Sequence, residues 1–288
     1  MGSDGDSIIE SYSRRAGEYA GEDNFASCWG SLSESLWAEL DVRPSHHLVV
    51  DVGCGPGTTL EYLAKHCPPT TRLVGVEPAE HMRRMGRTLT ERYPNVEFRD
   101  GRFESLPLES ESVDYLYSIM AFHWVADAEA GAREVGRVLR REASADIFFV
   151  GRWNGREFIN RTTPIFLKYM GAANLFASAR LRKQLTAEDA TNLFSRTLPD
   201  RRVRVRELYK TYHDTLEGHW RWWVRIGGQL DYIPQSERAR CEEEVRLALR
   251  QLEGPEGIPY TVHVLHAKVR RGRETEEPTE ARASVQEA

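Results

Sequence analysis

Two acids close two apolar runs, and three glycines stand directly behind the first. Residues 48–57 read LVVDVGCGPG, which places Asp51 inside the run and Gly53, Gly55 and Gly57 at every second position. Residues 72–77 read RLVGVE and end on Glu77, 24 residues after Gly53. A glycine turn lets a ligand come close to the backbone, where a side chain would hold it away. An acid at the end of the next strand accepts hydrogen bonds from paired ribose hydroxyls. Together these residues suit an adenosine-type ligand. A triphosphate loop needs lysine followed by serine or threonine after its last glycine, but Gly57 is followed by Thr58 and Thr59. A dinucleotide site prefers G-x-G-x-x-G, and Pro56 shortens the turn here to G-x-G-x-G. The bland alternative is a strand-to-helix turn with no ligand, and Glu77 weighs against it.

Other reactive side chains gather in three later stretches. Residues 118–125 read SIMAFHWV, where His123 is a candidate general base or acceptor-orienting group and Trp124 a candidate pocket wall. The competing reading of His123 is a packing histidine bonded to the backbone. Arg152, Trp153, Arg156 and Arg161 follow soon after, and arginine forks bind carboxylate or phosphate. Solvated surface arginines are the competing reading. Residues 209–223 hold Tyr209, Tyr212, His213, His219, Trp220, Trp222 and Trp223, which suits either an apolar acceptor pocket or ordinary helix core. His213 and His219 are reserve bases. No histidine pair has metal-ligand spacing, and no metal is expected.

These residues need elements to hold them. Strands are expected at 48–52, 72–76, 96–98, 113–118 and 145–150, with helices at 58–66, 79–92 and 127–140 between them. Such alternation means a parallel sheet with helices on both faces. Further helices are expected at 7–20, 30–40, 214–230 and 236–252, and further strands at 203–209 and 260–269. Residues 154–200 read as a helical cap inserted after strand five. The tail 271–288 is charged, lacks large apolar groups and is expected to be disordered.

The order of motifs resembles the class I, Rossmann-like S-adenosylmethionine-dependent methyltransferases that act on small molecules, in particular the methyltransferase type 11 and trans-aconitate methyltransferase-like group. The resemblance rests on the acid and G-x-G-x-G turn, on Glu77, on the ESLPL run at 104–108 and on SVDYLYS at 112–118. It covers about residues 8–154. It implies a seven-stranded, mostly parallel sheet with an antiparallel last strand. It also implies lid helices over 1–45, a cofactor-binding core over 46–153, the cap over 154–200, and the rest of the sheet and its helices over 201–270. The implied cofactor is S-adenosyl-L-methionine, held by Asp51, Gly53, Cys54, Gly55, Gly57, Glu77, Pro78, Gly101, Arg102, Phe103 and Ile119, with Tyr12 and Tyr19 folding over it. The implied acceptor site takes in Trp124, Arg152, Trp153, His213 and Trp220. Two departures stand out. Arg102 occupies the place of the acid that accepts the adenine amino group, with Asp100 two places earlier. The Pro-Gly-Gly turn before strand five is replaced by VLRREASAD at 138–146.

Bulk properties narrow the function classes. Lys and Arg total 39 against 44 Asp and Glu, for a net charge of −5, which argues against a general nucleic-acid binder. No apolar run approaches a membrane span, and the polar start MGSD is no signal peptide. Four scattered cysteines suggest reduced thiols in a cytoplasmic protein. The Asn/Asp-Pro-Pro-aromatic run of enzymes that methylate amines of nucleic acids and proteins is absent after strand four. The expected partner is thus a small-molecule methyl acceptor of specialised metabolism, a carboxylate or another anionic or apolar metabolite, modified at oxygen by the His123–Trp124 resemblance. The alternatives are carbon or nitrogen methylation of an apolar or isoprenoid-like metabolite, a nicotinamide-dependent oxidoreductase, and a non-methylating adenosine-cofactor protein. The oligomeric state is open.

Overall fold

The computed structural model describes residues 28–180, 183–227 and 229–272. The first expected lid helix, with Tyr12 and Tyr19, lies outside the described residues, as does the tail beyond 272.

Seven strands form one sheet among the described residues. They are β1 (Leu48–Val52), β2 (Arg72–Val76), β3 (Val96–Arg99), β4 (Val113–Ile119), β5 (Leu139–Val150), β6 (Arg201–Asp214) and β7 (Ile258–Arg271), in the order β3-β2-β1-β4-β5-β7-β6. Only β7 is antiparallel, lying between β5 and β6. This is the α/β sheet expected from the alternation. β1 is central because Val49, Val50 and Val52 are buried on both faces, as a parallel strand under two helical layers requires. The strand order reverses between β1 and β4, and the crevice at the carboxyl ends of such a pair is where ligands bind.

Among the described residues eight α-helices cover the sheet: α1 (Cys28–Trp37), α2 (Thr58–His66), α3 (Glu80–Leu89), α4 (Ala128–Val138), α5 (Arg156–Arg180), α6 (Ala187–Thr197), α7 (Leu216–Gly227) and α8 (Arg238–Arg250). Local signals start several of them. The Asp127 carboxylate accepts from the N–H groups of Glu129 and Ala130 ahead of α4. Thr186 and Asp189 form a reciprocal capping box at α6.

The segment before β5 differs from expectation. α4 ends at Val138 and β5 begins at once with Leu139 rather than near residue 145. Val113 pairs with Leu139 but Tyr115 with Ser144, so β5 bulges between them. The Arg201 guanidinium fills the bend. It donates to the carbonyls of Leu139, Arg140, Arg141 and Ala143 at 2.8–3.0 Å. One side chain thus satisfies the carbonyls that a glycine turn would otherwise have handled.

The expected cap over 154–200 divides in two. α6 belongs to the sheet layer: Phe194 is fully buried with its ring 5.2 Å from that of Phe122. α5, which carries Pro164 and breaks at Gly171, instead joins α1, α7 and α8 around a second core on the other face of the sheet. β6 and β7 run longer than their alternation suggested. Val150 pairs with Val264, which also pairs with Leu208. Beyond that level Tyr209–Asp214 and Ile258–His263 continue alone as a two-stranded ribbon past the carboxyl edge of β5. The alternation failed there because β6 is an edge strand with little buried surface; Arg202, Arg204, Arg206 and Lys210 line its exposed side.

Candidate active site

The glycine turn is fixed from both sides. The Gly53 N–H donates to the Val76 carbonyl at 2.7 Å, which ties the end of β1 to the end of β2. Gly53 has φ +74°, and a Cβ there would overlap the Cβ of Ala121 behind β4. Gly55 is different: at φ +52° a Cβ built on it meets no heavy atom within 4 Å. One glycine is required by packing and the next leaves its backbone open to a ligand.

Glu77 anchors the other wall. Its Oε2 accepts the Gly55 N–H at 3.0 Å and its Oε1 accepts the Ala79 N–H at 2.9 Å. Each oxygen retains a further lone pair for a ribose hydroxyl. Burial pushes its pKa up, against the pull of those two N–H groups. Arg83, absent from the sequence reading, braces the same corner. Its Nη1 donates to the Glu77 carbonyl at 2.6 Å, the Pro78 carbonyl at 2.8 Å and Asp100 at 3.0 Å. Asp100, the displaced acid, is therefore held by Arg83.

Asp51 lies under the turn and is almost fully buried. Burial, with the charge of Glu77 adding to it, pushes its pKa up to about 8, while the Tyr117 hydroxyl pulls it down. That hydroxyl faces Asp51 and has no other bond partner among the described residues. The buried Ser118 hydroxyl has none either. Two raised carboxyls, the unpartnered Ser118 hydroxyl and the open face at Gly55 fit a ligand with a ribose and a cationic end. S-adenosylmethionine has both.

The adenine end departs further from expectation. The backbone of Arg102 pairs with Ser105 in a tight turn, and Arg102 is exposed. Phe103 is a core residue, edge-on to Phe122 at 5.0 Å, so its ring faces the sheet layer. Gly101 packs against Pro107. Cys54 is buried beside Gly75, where any Cβ would strike its Sγ.

The strand-four exit joins this corner to the second core. Ile119 and Met120 pack against the aromatic cluster of α1, α5, α7 and the ribbon. Met120 takes φ +60°, uncommon for an L-residue, while its N–H donates to the Phe148 carbonyl at 2.8 Å. His123, expected as a base, is buried in the short 3-10 turn Phe122–Trp124, and its Nδ1 accepts the Val150 N–H at 3.4 Å. A neutral ring that accepts at Nδ1 carries its proton on Nε2. This contact suits a packing histidine, and it leaves Nε2 as the ring's donor. Trp124 lies half-buried beside it, with ring centroids 5.0 Å apart.

Other expected acceptor residues are dispersed. Arg152 and Trp153 are exposed, and the Arg156 guanidinium lies 5.0 Å over the Trp153 ring. Tyr212 is paired with Tyr260 across the ribbon, so His213, one residue on, points to the opposite face and sits near Glu256. Trp220 is covered by the Arg246 guanidinium, 4.2 Å from its ring centre, in the seam with α8. Tyr212, His219, Trp222 and Trp223 of the aromatic stretch do converge, joined by Trp29, Phe158 and Tyr260, and Trp220 packs on Trp223 with ring centroids 5.9 Å apart. Tyr117, Ser118, Met120 and Trp29 gave no signal in the sequence, because strand register and a positive φ decide their roles.

Residues 50–145 match the methyltransferase domain family. Over that third of the chain it is similar to methyltransferases. The match spans β1 to β5 and so includes the turn, Glu77 and the strand-four exit. The domain indicates S-adenosylmethionine as its cofactor. An uncharacterized transposon-encoded protein of Streptomyces fradiae is 40% identical over 101 residues, 35% of this chain and 29% of that one. The trans-aconitate 2-methyltransferase of Variovorax paradoxus is 35% identical over 86 residues, 30% of this chain and 32% of that one. The chain thus spans less than a third of the length of these two relatives. In fold it is similar to the YcgJ protein of Bacillus subtilis, with a TM-score of 0.57 at 18% identity over 85% of this chain and all of that one. Among the described residues no helix is long and apolar enough to cross a membrane, and no His, Cys, Asp and Glu group could hold a metal ion.

Proposed function

We propose that the chain is an S-adenosylmethionine-dependent methyltransferase acting on an oxygen of a small, largely apolar acceptor. The observation that carries this reading is the Glu77 carboxylate, held by the N–H groups of Gly55 and Ala79 across from the open backbone of Gly55. Glu77 would take the ribose hydroxyls. Gly53, Gly55 and Gly57 would let the amino-acid end lie against the turn, with Asp51 beneath it. When bound, the cofactor supplies an electrophilic methyl group on a sulfonium. The chain's own task is then to place the acceptor in line, exclude water and remove a proton where the acceptor has one.

The acceptor side supports an apolar molecule over an anionic one. Ile119 and Met120 bring the strand-four exit against aromatic rings, whereas Arg156 is spent on Trp153 at the exposed rim. We assign His123 to positioning: through Val150 it ties the 3-10 turn to the end of β5. The trans-aconitate relative acts on a carboxylate substrate by its name, but its match covers only 30% of this chain. The test is a label-transfer screen with S-adenosylmethionine carrying an isotopic methyl group, across phenols, carboxylic acids, amines and isoprenoids. Methyl ethers from hydroxyl compounds support the proposal. Transfer only to carboxylates, nitrogen or carbon would overturn the oxygen-and-apolar reading.

A further inference from the structure

His219 on α7 is buried among aromatic rings with half of its hydrogen-bonding capacity unused. It is 1% exposed. Its Nε2 lies 2.7 Å from the Ile258 carbonyl, which can only accept, so Nε2 carries the proton. Nδ1 is then a bare acceptor, and it has no partner among the described residues. Burial lowers the pKa of the ring, with nearby His213 acting in the same direction and Asp214 against it, which keeps the ring neutral.

The surroundings of His219 are aromatic. Phe158, Trp222 and Tyr260 stand around His219 at centroid distances of 5.2, 5.8 and 6.0 Å. Trp29 of α1 meets both Trp222 and Tyr260, at 5.8 and 6.3 Å. Its Nε1 is also buried without a partner, and so is the hydroxyl of Tyr212, opposite Tyr260 on the ribbon. Trp29 and Tyr212 are only half-buried as residues, which puts the accessible side of the cluster at these two. The same cluster touches Met120 and Ile119, and so adjoins the cofactor corner. Three unpaired polar atoms in one apolar cluster are costly unless something pairs them.

We propose that His219 Nδ1, Trp29 Nε1 and the Tyr212 hydroxyl form the polar recognition set of an aromatic pocket that takes a neutral ring compound bearing a hydroxyl group. The hydroxyl donates to His219 Nδ1, and its oxygen accepts from Trp29 Nε1. The assignment of this ligand as methyl acceptor rests on the methyltransferase reading above; the pocket itself does not.

The test is calorimetric titration with 2-naphthol and with its methyl ether, which differ in the one hydrogen donated. Wild-type protein should bind the naphthol roughly tenfold tighter than the ether, the size expected of one buried hydrogen bond. His219→Gln keeps a donor toward Ile258 and removes the Nδ1 acceptor. It should weaken naphthol binding roughly tenfold and leave the ether unchanged. Trp29→Phe should weaken both ligands alike. Equal binding of both compounds to wild type, binding of neither, or a His219→Gln effect equal for both would overturn the proposal and leave only trapped water at Nδ1. S-adenosylhomocysteine is titrated into the same samples. If it fails to bind while the naphthol preference holds, the methyltransferase reading falls and the pocket stands.

Discussion

Gly53→Ala offers a direct probe of the joint between the two halves of the site. The added Cβ is penalised twice. Its φ of +74° is a left-handed conformation, which costs an L-residue about 1–2 kcal/mol. It also overlaps the Cβ of Ala121, and overpacking of this kind costs about 1–3 kcal/mol. The single substitution should therefore destabilise by about 2–5 kcal/mol. Ala121→Gly removes the atom struck, since the next nearest atom, the Ala121 Cα, lies at 3.6 Å. In that background Gly53→Ala should cost only the backbone part, about 1–2 kcal/mol. A double-mutant cycle by urea unfolding should thus show a favourable coupling of about 1–3 kcal/mol between the two substitutions. S-adenosylhomocysteine affinity should fall in Gly53→Ala and recover in part in the pair. Additivity within about 0.5 kcal/mol would refute the claim that strand four's exit is packed directly against the turn.

Three further outcomes follow from particular contacts. Arg201→Met strands four carbonyls at the β5 bend and should destabilise by about 2 kcal/mol in urea unfolding; a loss below about 0.5 would show that the bend holds without it. The folded pKa of Asp51, about 8, exceeds its unfolded value, so the native state holds an extra proton between about pH 4 and 8 and loses stability as pH rises through that window. Relative to Asp51→Asn the wild type should lose up to about 1.4 kcal/mol per pH unit from pH 5 to 8, and a flat difference would contradict the burial argument. Burial works against the charge of Asp146, but His266 and Arg270 hold its pKa low, and Tyr115 donates to it as well. Asp146→Asn should cost about 3 kcal/mol at pH 7 by thermal or urea unfolding, and a neutral result would remove this network from the account.

The cofactor half was legible because its signals are local. A β-branched run, alternate glycines and an acid at the next strand end each follow from neighbouring residues, and strand order then brings them together. The acceptor half depends on contacts distant in sequence. The contact of His123 Nδ1 with the Val150 N–H joins residues 27 apart in the chain. His213 and Tyr212 look equivalent until ribbon register sends them to opposite faces. α6 reads as cap until Phe194 meets Phe122. The missing glycine turn was visible at 138–146, but its replacement, the guanidinium of Arg201, lies some sixty residues onward. Nothing near Met120 announces its positive φ.

The central claim is that the turn at 53–57 and Glu77 hold S-adenosylmethionine. Calorimetric titration of the whole chain with S-adenosylmethionine and with NAD, repeated on Glu77→Gln, tests it most directly. The account predicts one saturable site for S-adenosylmethionine, no comparable binding of NAD, and an affinity weakened roughly tenfold or more in Glu77→Gln, since two ribose hydrogen bonds lose a charged acceptor. Binding of NAD without S-adenosylmethionine, or an affinity unchanged by Glu77→Gln, would contradict it.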